Sequence, residues 1–305
     1  MGCDSCHHDT DVELDIGDTL RVDGRREFRI EKQLSHHTDA GMSAVYLAVR
    51  TDDPSRFGAL KVAKATKLEA LRRETANLQK LKHPHIIRLA YGQDFSNPDQ
   101  AILKDYKDNE RLCFIALEYM AEGSLKDKLQ QQKTLPLHEV SPIIGQLSQA
   151  LDYAHQVGVV HLDVKPANIL FGSDGRVVLS DFGITREATS LVNIRRKIGT
   201  MNYNAPEQLG DNPIHTKKAD IYALGLVLYE MLVGPELLHQ VRSTGGSSPP
   251  LHSTVIVPKN NQVADFTLSS PSQLNPTIPK AVEQVILKAI ATTPNERYDS
   301  AGELA

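Results

Sequence analysis

Tryptophan is absent, and cysteine is scarce: Cys3, Cys6 and Cys113 are the only thiols in 305 residues. Three thiols cannot build a disulfide framework, so the chain must rest on a hydrophobic core, and their scarcity fits a reducing compartment. A basic excess is missing too. Lys and Arg total 34 against 38 Asp and Glu, a formal net charge of -4, which argues against a nucleic-acid or membrane-surface partner. Nor is there a long apolar run. The stretch from about Ile221 to Val233 is interrupted by Gly225 and Glu230; it is too short to cross a bilayer and reads as a buried helix. No basic-then-apolar start announces a secretory signal. These absences predict a cytoplasmic protein with no membrane span.

What is present is length enough for one large domain or two lobes. Residues 1–24 read as a flexible polar tail. Its Cys3-x-x-Cys6-His7-His8 cluster holds zinc-ligand types, although structural zinc sites draw ligands from two separated segments. The same spacing occurs in c-type haem attachment, which needs export. A tail with reactive thiols is the reading preferred. Alternating segments at Phe28–Leu34, Ala44–Val49, Gly58–Ala63, Ile86–Leu89, Ala101–Leu103 and Leu112–Leu117 predict strands. Between them, residues 67–82 switch to helical spacing, with Leu68, Leu71, Thr75, Leu78 and Leu81 on one side. Beyond Gly123 the chain turns helical, over 124–132, 139–157, 216–233 and 279–290, with short strands at Ile169–Phe171 and Val177–Leu179 around a Ser-Asp-Gly turn. Residues 241–277, rich in Ser, Pro, Thr and Asn, read as a flexible surface loop.

The chemistry concentrates in His161-Leu162-Asp163-Val164-Lys165-Pro166-Ala167-Asn168, followed by Asp181-Phe182-Gly183. Phosphoryl transfer needs an aligned hydroxyl, neutralised phosphate charge and a bound divalent ion. One carboxylate can take the hydroxyl proton, an amide oxygen and a second carboxylate can hold a hard cation, and a nearby Lys can reach the γ-phosphate. A chance His-x-Asp in a polar loop does not supply all four groups.

This string resembles the catalytic loop of eukaryotic-type protein serine/threonine kinases, and the resemblance extends over about residues 28–305. It implies Asp163 as catalytic base, Lys165 on the γ-phosphate, and Asn168 and Asp181 on the metal. It makes Lys61 in Ala59-Leu60-Lys61 the residue that holds the α- and β-phosphates, paired with Glu74. Ala40, Gly41, Met42, Val45, Ala59 and Leu170 would surround the nucleotide. Glu118-Tyr119-Met120 would be the hinge that binds adenine, behind Leu117 as the gating residue. Thr200, in Gly199-Thr200 ahead of Ala205-Pro206-Glu207, would contact Asp163 and Lys165 and favour Ser/Thr substrates. Glu207 would pair with Arg297, and Asp220 would support the catalytic-loop backbone. The implied fold is α+β and bilobal. Residues 25–118 would give a five-stranded antiparallel sheet with one helix, 119–122 a hinge and 123–305 a mainly helical lobe, with ATP and Mg²⁺ (or Mn²⁺) in the cleft. Asp-Val-Lys-Pro-Ala-Asn and the Ala150–His155 phrase resemble bacterial members.

Two departures stand out. The glycine-rich loop keeps only Gly41 between Ser35 and Val45, and glycines are what allow close backbone approach to phosphate, so weak ATP affinity is expected. Leu162 replaces the Arg that meets an activation-loop phosphate. Activity is therefore expected to depend little on phosphorylation at Thr185, Thr189 or Ser190. Arg195, Arg196 and Lys197 could receive a phosphate instead, or form a solvated basic turn. Two other functions compete with the active kinase that phosphorylates protein Ser/Thr hydroxyls. One is a pseudokinase scaffold, suggested by the degraded loop. The other is a small-molecule phosphotransferase, against which the Ala-Pro-Glu segment argues.

Overall fold

The computed structural model describes residues 14–22, 26–35, 43–90, 102–105, 111–183, 186–187, 203–209, 213–235, 254–259, 262–267 and 270–305. They fall into two compact units, one within Met1–Lys80 and Ile87–Met120, the other within Leu81–Ile86 and Ala121–Ala305.

The first unit is an antiparallel sheet with one helix. Its strands are β1 (Thr19–Val22), β2 (Arg26–Ser35), β3 (Ala44–Arg50), β4 (Phe57–Lys64), β5 (Ile102–Asp105) and β6 (Arg111–Leu117), in the spatial order β1-β2-β3-β4-β6-β5. Helix α1 (Leu68–Lys80) follows β4 and buries Leu71, Thr75 and Leu78 of the predicted stripe, with Glu74 buried beside them and Leu68 half-buried. Alternation sorts the strands into two faces. One buries Phe28, Ile30, Ala44, Tyr46, Ala48, Leu60, Val62, Leu112 and Phe114 in a single core. The opposite face carries Val45, Ala59, Lys61 and Leu117. Register puts Val45 across from Lys61 and Ala59 across from Leu117, and directly opposed residues share a face.

Two expectations need correction here. Residues 25–118 give the five expected strands, but the stretch read as a tail adds a sixth, because Thr19–Val22 pairs with Arg26–Arg29. Leu14 and Leu20 join the core, and the Leu14 amide donates to the buried Tyr46 hydroxyl at 3.1 Å. Apolar residues spaced among acidic ones are enough to anchor that stretch. Conversely, Ile86–Leu89 forms no strand, only single bridges from Ile86 to Leu179 and from Leu89 to Leu117. Its apolar side chains are buried by neighbours on separate segments rather than by a continuous ladder.

The second unit is mainly helical: α2 (Leu125–Gln132), α3 (Leu137–Gln156), α4 (Lys217–Val233), α5 (Pro271–Leu274) and α6 (Lys280–Ala289). Ser124 and Asp127 cap α2 reciprocally, each side chain taking the other's amide proton at 3.2 and 2.9 Å. Helix α4 is buried all round from Ala219 to Val233, as a helix apolar on nearly every side requires. Gly225 is what lets α6 approach it, since a Cβ there would meet Ala289 Cβ at 2.7 Å. Three small ladders complete the unit. Strands β7 (Val159–Val160) and β10 (Arg186–Glu187) form one, and β8 (Ile169–Phe171) and β9 (Val177–Leu179) another. The third, β11 (Thr254–Lys259) with β12 (Gln262–Thr267), lies inside the stretch expected to be a loop. The Ser, Pro and Asn of 241–277 mask the alternation of Val255 and Val257, which register sets across from Phe266 and Ala264. The tail cluster at Cys3–His8 and the basic run at Arg195–Lys197 lie outside the described residues.

Candidate active site

In the first unit, β4 carries Lys61 toward α1, which presents Glu74 from its buried stripe. The ammonium reaches both carboxylate oxygens, at 2.7 and 2.9 Å, with Lys61 and Glu74 only 9 and 2 % exposed. Such a pair is held only where geometry offsets desolvation. Here strand register fixes one end and a helix turn the other. Beyond Ala59 and Leu117 the chain leaves β6 as Glu118-Tyr119-Met120. The Glu118 amide donates to Arg88 O at 2.9 Å, while its carboxylate accepts the Arg88 amide and pairs with the guanidinium at 3.1 Å. Met120 N–H donates to no protein group among the described residues. It is a backbone donor available to a base.

In the second unit, Asp163 is buried, and its Oδ2 accepts Asn168 Nδ2 at 3.0 Å and lies 3.0 Å from Lys165 Nζ. Asn168 Nδ2 also donates to Asp163 O at 2.8 Å. Both amide protons being directed at Asp163, the carbonyl oxygen Oδ1 points elsewhere and is a neutral oxygen ligand of the kind hard cations take. Asn168 in turn grips the strand that leads to Asp181: its carbonyl accepts Ser180 N at 2.8 Å and Ser180 Oγ at 3.0 Å. Asp181 follows at once, with φ of 66°, in the left-handed region that Asp tolerates better than most side chains. Among the described residues no cluster of His, Cys, Asp or Glu forms an all-protein metal cage. One amide oxygen and one carboxylate, with phosphate and water completing the shell, is a set that suits Mg²⁺.

The backbone of this loop is strained and pinned. Leu162, buried, sits at φ of 67°, which costs a branched L-residue about 1–2 kcal/mol. Asp220, at 0 % exposure on the first turn of α4, accepts the amides of His161 and Leu162 at 2.8 and 2.7 Å and takes His155 Nε2 at 2.7 Å. Burial alone would raise the Asp220 pKa, but the His155 hydrogen bond and charge outweigh it and hold the carboxyl below its usual value. His161 completes the lock. Its Nδ1 accepts the Asp163 amide at 3.1 Å, which assigns the ring proton to Nε2 and makes it the donor to Ser180 O at 2.9 Å. Phe182, fully buried, stands edge-on to that ring at 4.5 Å. His161, Ser180 and His155 were not singled out in the sequence. The His of His-x-Asp was the available signal.

Farther off, Glu207 and Arg297 make a two-pronged pair at 2.7 and 2.8 Å. Arg297 also donates to the carbonyls of Ala291, Thr292 and Lys218, so its buried charge is hydrogen-bonded throughout. Leu170 lies half-buried on β8 across from Val178. Thr200, Ala40, Gly41 and Met42 fall outside the described residues.

A family model described as "Protein kinase domain" matches residues 40–304. The chain is 29 % identical over 296 residues to serine/threonine-protein kinase PknB of Mycobacterium leprae (strain TN), covering 95 % of this chain and 41 % of that protein. It is 31 % identical over 271 residues to serine/threonine-protein kinase PrkC of Bacillus subtilis (strain 168), covering 87 % of this chain and 38 % of that protein. It thus spans about two-fifths of the length of the curated relatives it matches.

Proposed function

The chain belongs to the protein kinase domain family, and from that premise we propose that it transfers the γ-phosphoryl group of ATP to serine or threonine hydroxyls of proteins. The observation that carries the reading is the Asp163 carboxylate, held by Asn168 and Lys165 on a loop that Asp220 locks.

The residues divide the work. Lys61, fixed by Glu74, steadies the α- and β-phosphates. The Glu118–Met120 backbone reads adenine, with Val45, Ala59, Leu117 and Leu170 as apolar walls. Lys165 neutralises charge on the γ-phosphate. Asp163 orients the substrate hydroxyl and accepts its proton as that oxygen bonds to the γ-phosphorus and the bond to the β-phosphate oxygen breaks, leaving ADP. A divalent cation, Mg²⁺ in this reading, neutralises phosphate charge, and Asn168 Oδ1 with the Asp181 carboxylate are the oxygens that would hold it. Thr200 belongs to the same scheme as the residue that favours Ser/Thr acceptors.

Leu162 gives this reading a regulatory side. A buried apolar side chain at that position offers no cation to an activation-loop phosphate, so transfer should persist in a Thr189→Ala, Ser190→Ala double variant. Loss of label incorporation in that variant would overturn the point. The scarcity of cysteine supports work in a reducing cytoplasm, and no helix among the described residues is long and apolar enough to cross a membrane.

The test is incubation with Mg²⁺ and γ-labelled ATP, with Asp163→Asn beside the parent. Label on Ser or Thr is expected from the parent, and a loss of roughly 10²–10⁴-fold in the variant. Equal labelling by both proteins would remove Asp163 from its role. No label despite nucleotide binding would point to a non-catalytic scaffold.

A further inference from the structure

Phe57 opens β4 and is 51 % exposed, one of few large apolar side chains so placed among the described residues. Strand alternation puts it on the same face as Ala59 and Lys61. Its ring meets that of Tyr119, the middle residue of the hinge, at 5.9 Å between centroids and 83° between planes. That is the edge-to-face arrangement aromatic quadrupoles favour. An exposed aromatic is unremarkable singly, but this one is fixed against the segment whose backbone donor, Met120 N–H, has no protein acceptor among the described residues.

The geometry points to Phe57 as a positioning residue for the nucleobase. The inference rests on the reading of unit one as the adenine-nucleotide half of the site. A nucleotide whose phosphates lie at Lys61 has its base beside Ala59 and Leu117, one side-chain row back along β4 at about 3.3 Å per residue. The next row is Phe57. There it holds the Tyr119 ring edge to face, which fixes the backbone from Glu118 to Met120 in the conformation that hydrogen-bonds the base, and its free face limits the outer end of the base site. Nothing in this arrangement touches the phosphate end.

That separation supplies the test. Binding of adenosine and of magnesium tripolyphosphate to the full chain is measured by calorimetry for the parent, Phe57→Ala and Phe57→Tyr. Loss of the ring pair should weaken adenosine binding by about fivefold in Phe57→Ala, leave tripolyphosphate binding unchanged, and be reversed in Phe57→Tyr. Retained tripolyphosphate binding also certifies that the variant is folded. Unchanged adenosine affinity in Phe57→Ala, equal weakening of both ligands, or no recovery in Phe57→Tyr would each overturn the assignment. A parent that binds tripolyphosphate but not adenosine or ATP would overturn the nucleotide reading itself, and this inference with it. Normal adenosine binding by the parent with an indifferent Phe57→Ala would overturn this inference alone.

Discussion

The two units hold their functional side chains by different means. In the sheet unit, Lys61 and Glu74 satisfy each other, side chain to side chain, between a strand and a helix. In the helical unit, Asp220 satisfies backbone amides of the very loop that bears Asp163. A pair of side chains can be replaced together by apolar residues of similar size, because both buried charges leave at once. A carboxylate that serves the backbone has no such substitute, because peptide groups cannot be mutated away. In the proposed reading, the first arrangement serves chemistry and is dispensable for folding, whereas the second serves both.

The largest expected effect follows from that asymmetry. Asp220→Ala would leave the His161 and Leu162 amides and His155 Nε2 without an acceptor in a site of 0 % exposure. At about 1–3 kcal/mol for each buried orphan, the loss should be on the order of 4 kcal/mol, a large share of a domain's usual 5–15 kcal/mol. Urea denaturation measures it, and a loss below about 1 kcal/mol would break the comparison. The sheet unit should behave otherwise. Glu74→Leu alone removes the carboxylate that the buried ammonium reaches and should cost about 3 kcal/mol, whereas Lys61→Met with Glu74→Leu should return to within about 1.5 kcal/mol of the parent. Phosphoryl transfer should be lost in both. A double variant as unstable as the single one would show that Lys61 and Glu74 are also structural.

Acid offers a milder probe of a buried carboxylate elsewhere in the helical unit. Glu283 on α6 is buried and pulled down to a pKa of about 2, first by Lys280, then by the hydroxyl of Ser270 and by Ser272, whose amide it accepts at 2.9 Å. A lowered carboxyl stabilises the fold above its unfolded pKa, near 4.5, and loses that contribution as pH falls toward the folded value. The Tm gap between parent and Glu283→Gln should therefore be full at neutral pH and close progressively between about pH 4.5 and 2. A gap independent of pH would mean that the contact is steric.

The sequence told the two arrangements apart unevenly. Lys61, Glu74, Asp163, Asn168 and Asp181 were marked out by the family resemblance, and the structure brings Lys61 to Glu74 and Asn168 to Asp163. Helices α1 and α3 were legible because their apolar periods run over several turns, and α4 because it is apolar on nearly every side. The first strand was not, although Leu20-Arg21-Val22 alternates just before Asp23-Gly24, itself a hairpin signal. Its acidic surroundings hid it, and Tyr46, whose hydroxyl holds the Leu14 amide just ahead of it, lies 32 residues beyond Leu14. The second hairpin was hidden in the same way by Ser and Asn. His161 and Ser180 escaped notice for a different reason. Their work is to hydrogen-bond backbone, and a side chain that serves backbone leaves no partner residue in the sequence to betray it. Ile86–Leu89 erred in the opposite direction, since burial by separate neighbours reads the same as burial in a sheet.

Strain draws the last contrast. Among the described residues, the non-glycine positions with positive φ are Lys133, Leu162 and Asp181, all in the helical unit. Strain of this kind persists where the surroundings over-determine it, and at Leu162 and Asp181 those surroundings are the Asp220 hub and the Asn168–Ser180 bonds. Lys133 has the strain without the site. It is exposed, at φ of 62°, and ends α2 through an amide bond to Leu129 O at 2.9 Å that any residue could make. Lys133→Gly keeps that bond and removes the Cβ penalty, so it should stabilise the protein by about 1 kcal/mol in urea denaturation, with transfer unaffected. Leu162→Gly relieves the same angle but forfeits a buried side chain worth about 1.5–3 kcal/mol, so it should not stabilise. If Lys133→Gly brings no gain, positive φ at a helix end costs this fold nothing, and the strain at Leu162 and Asp181 ceases to distinguish the catalytic loop from any other turn.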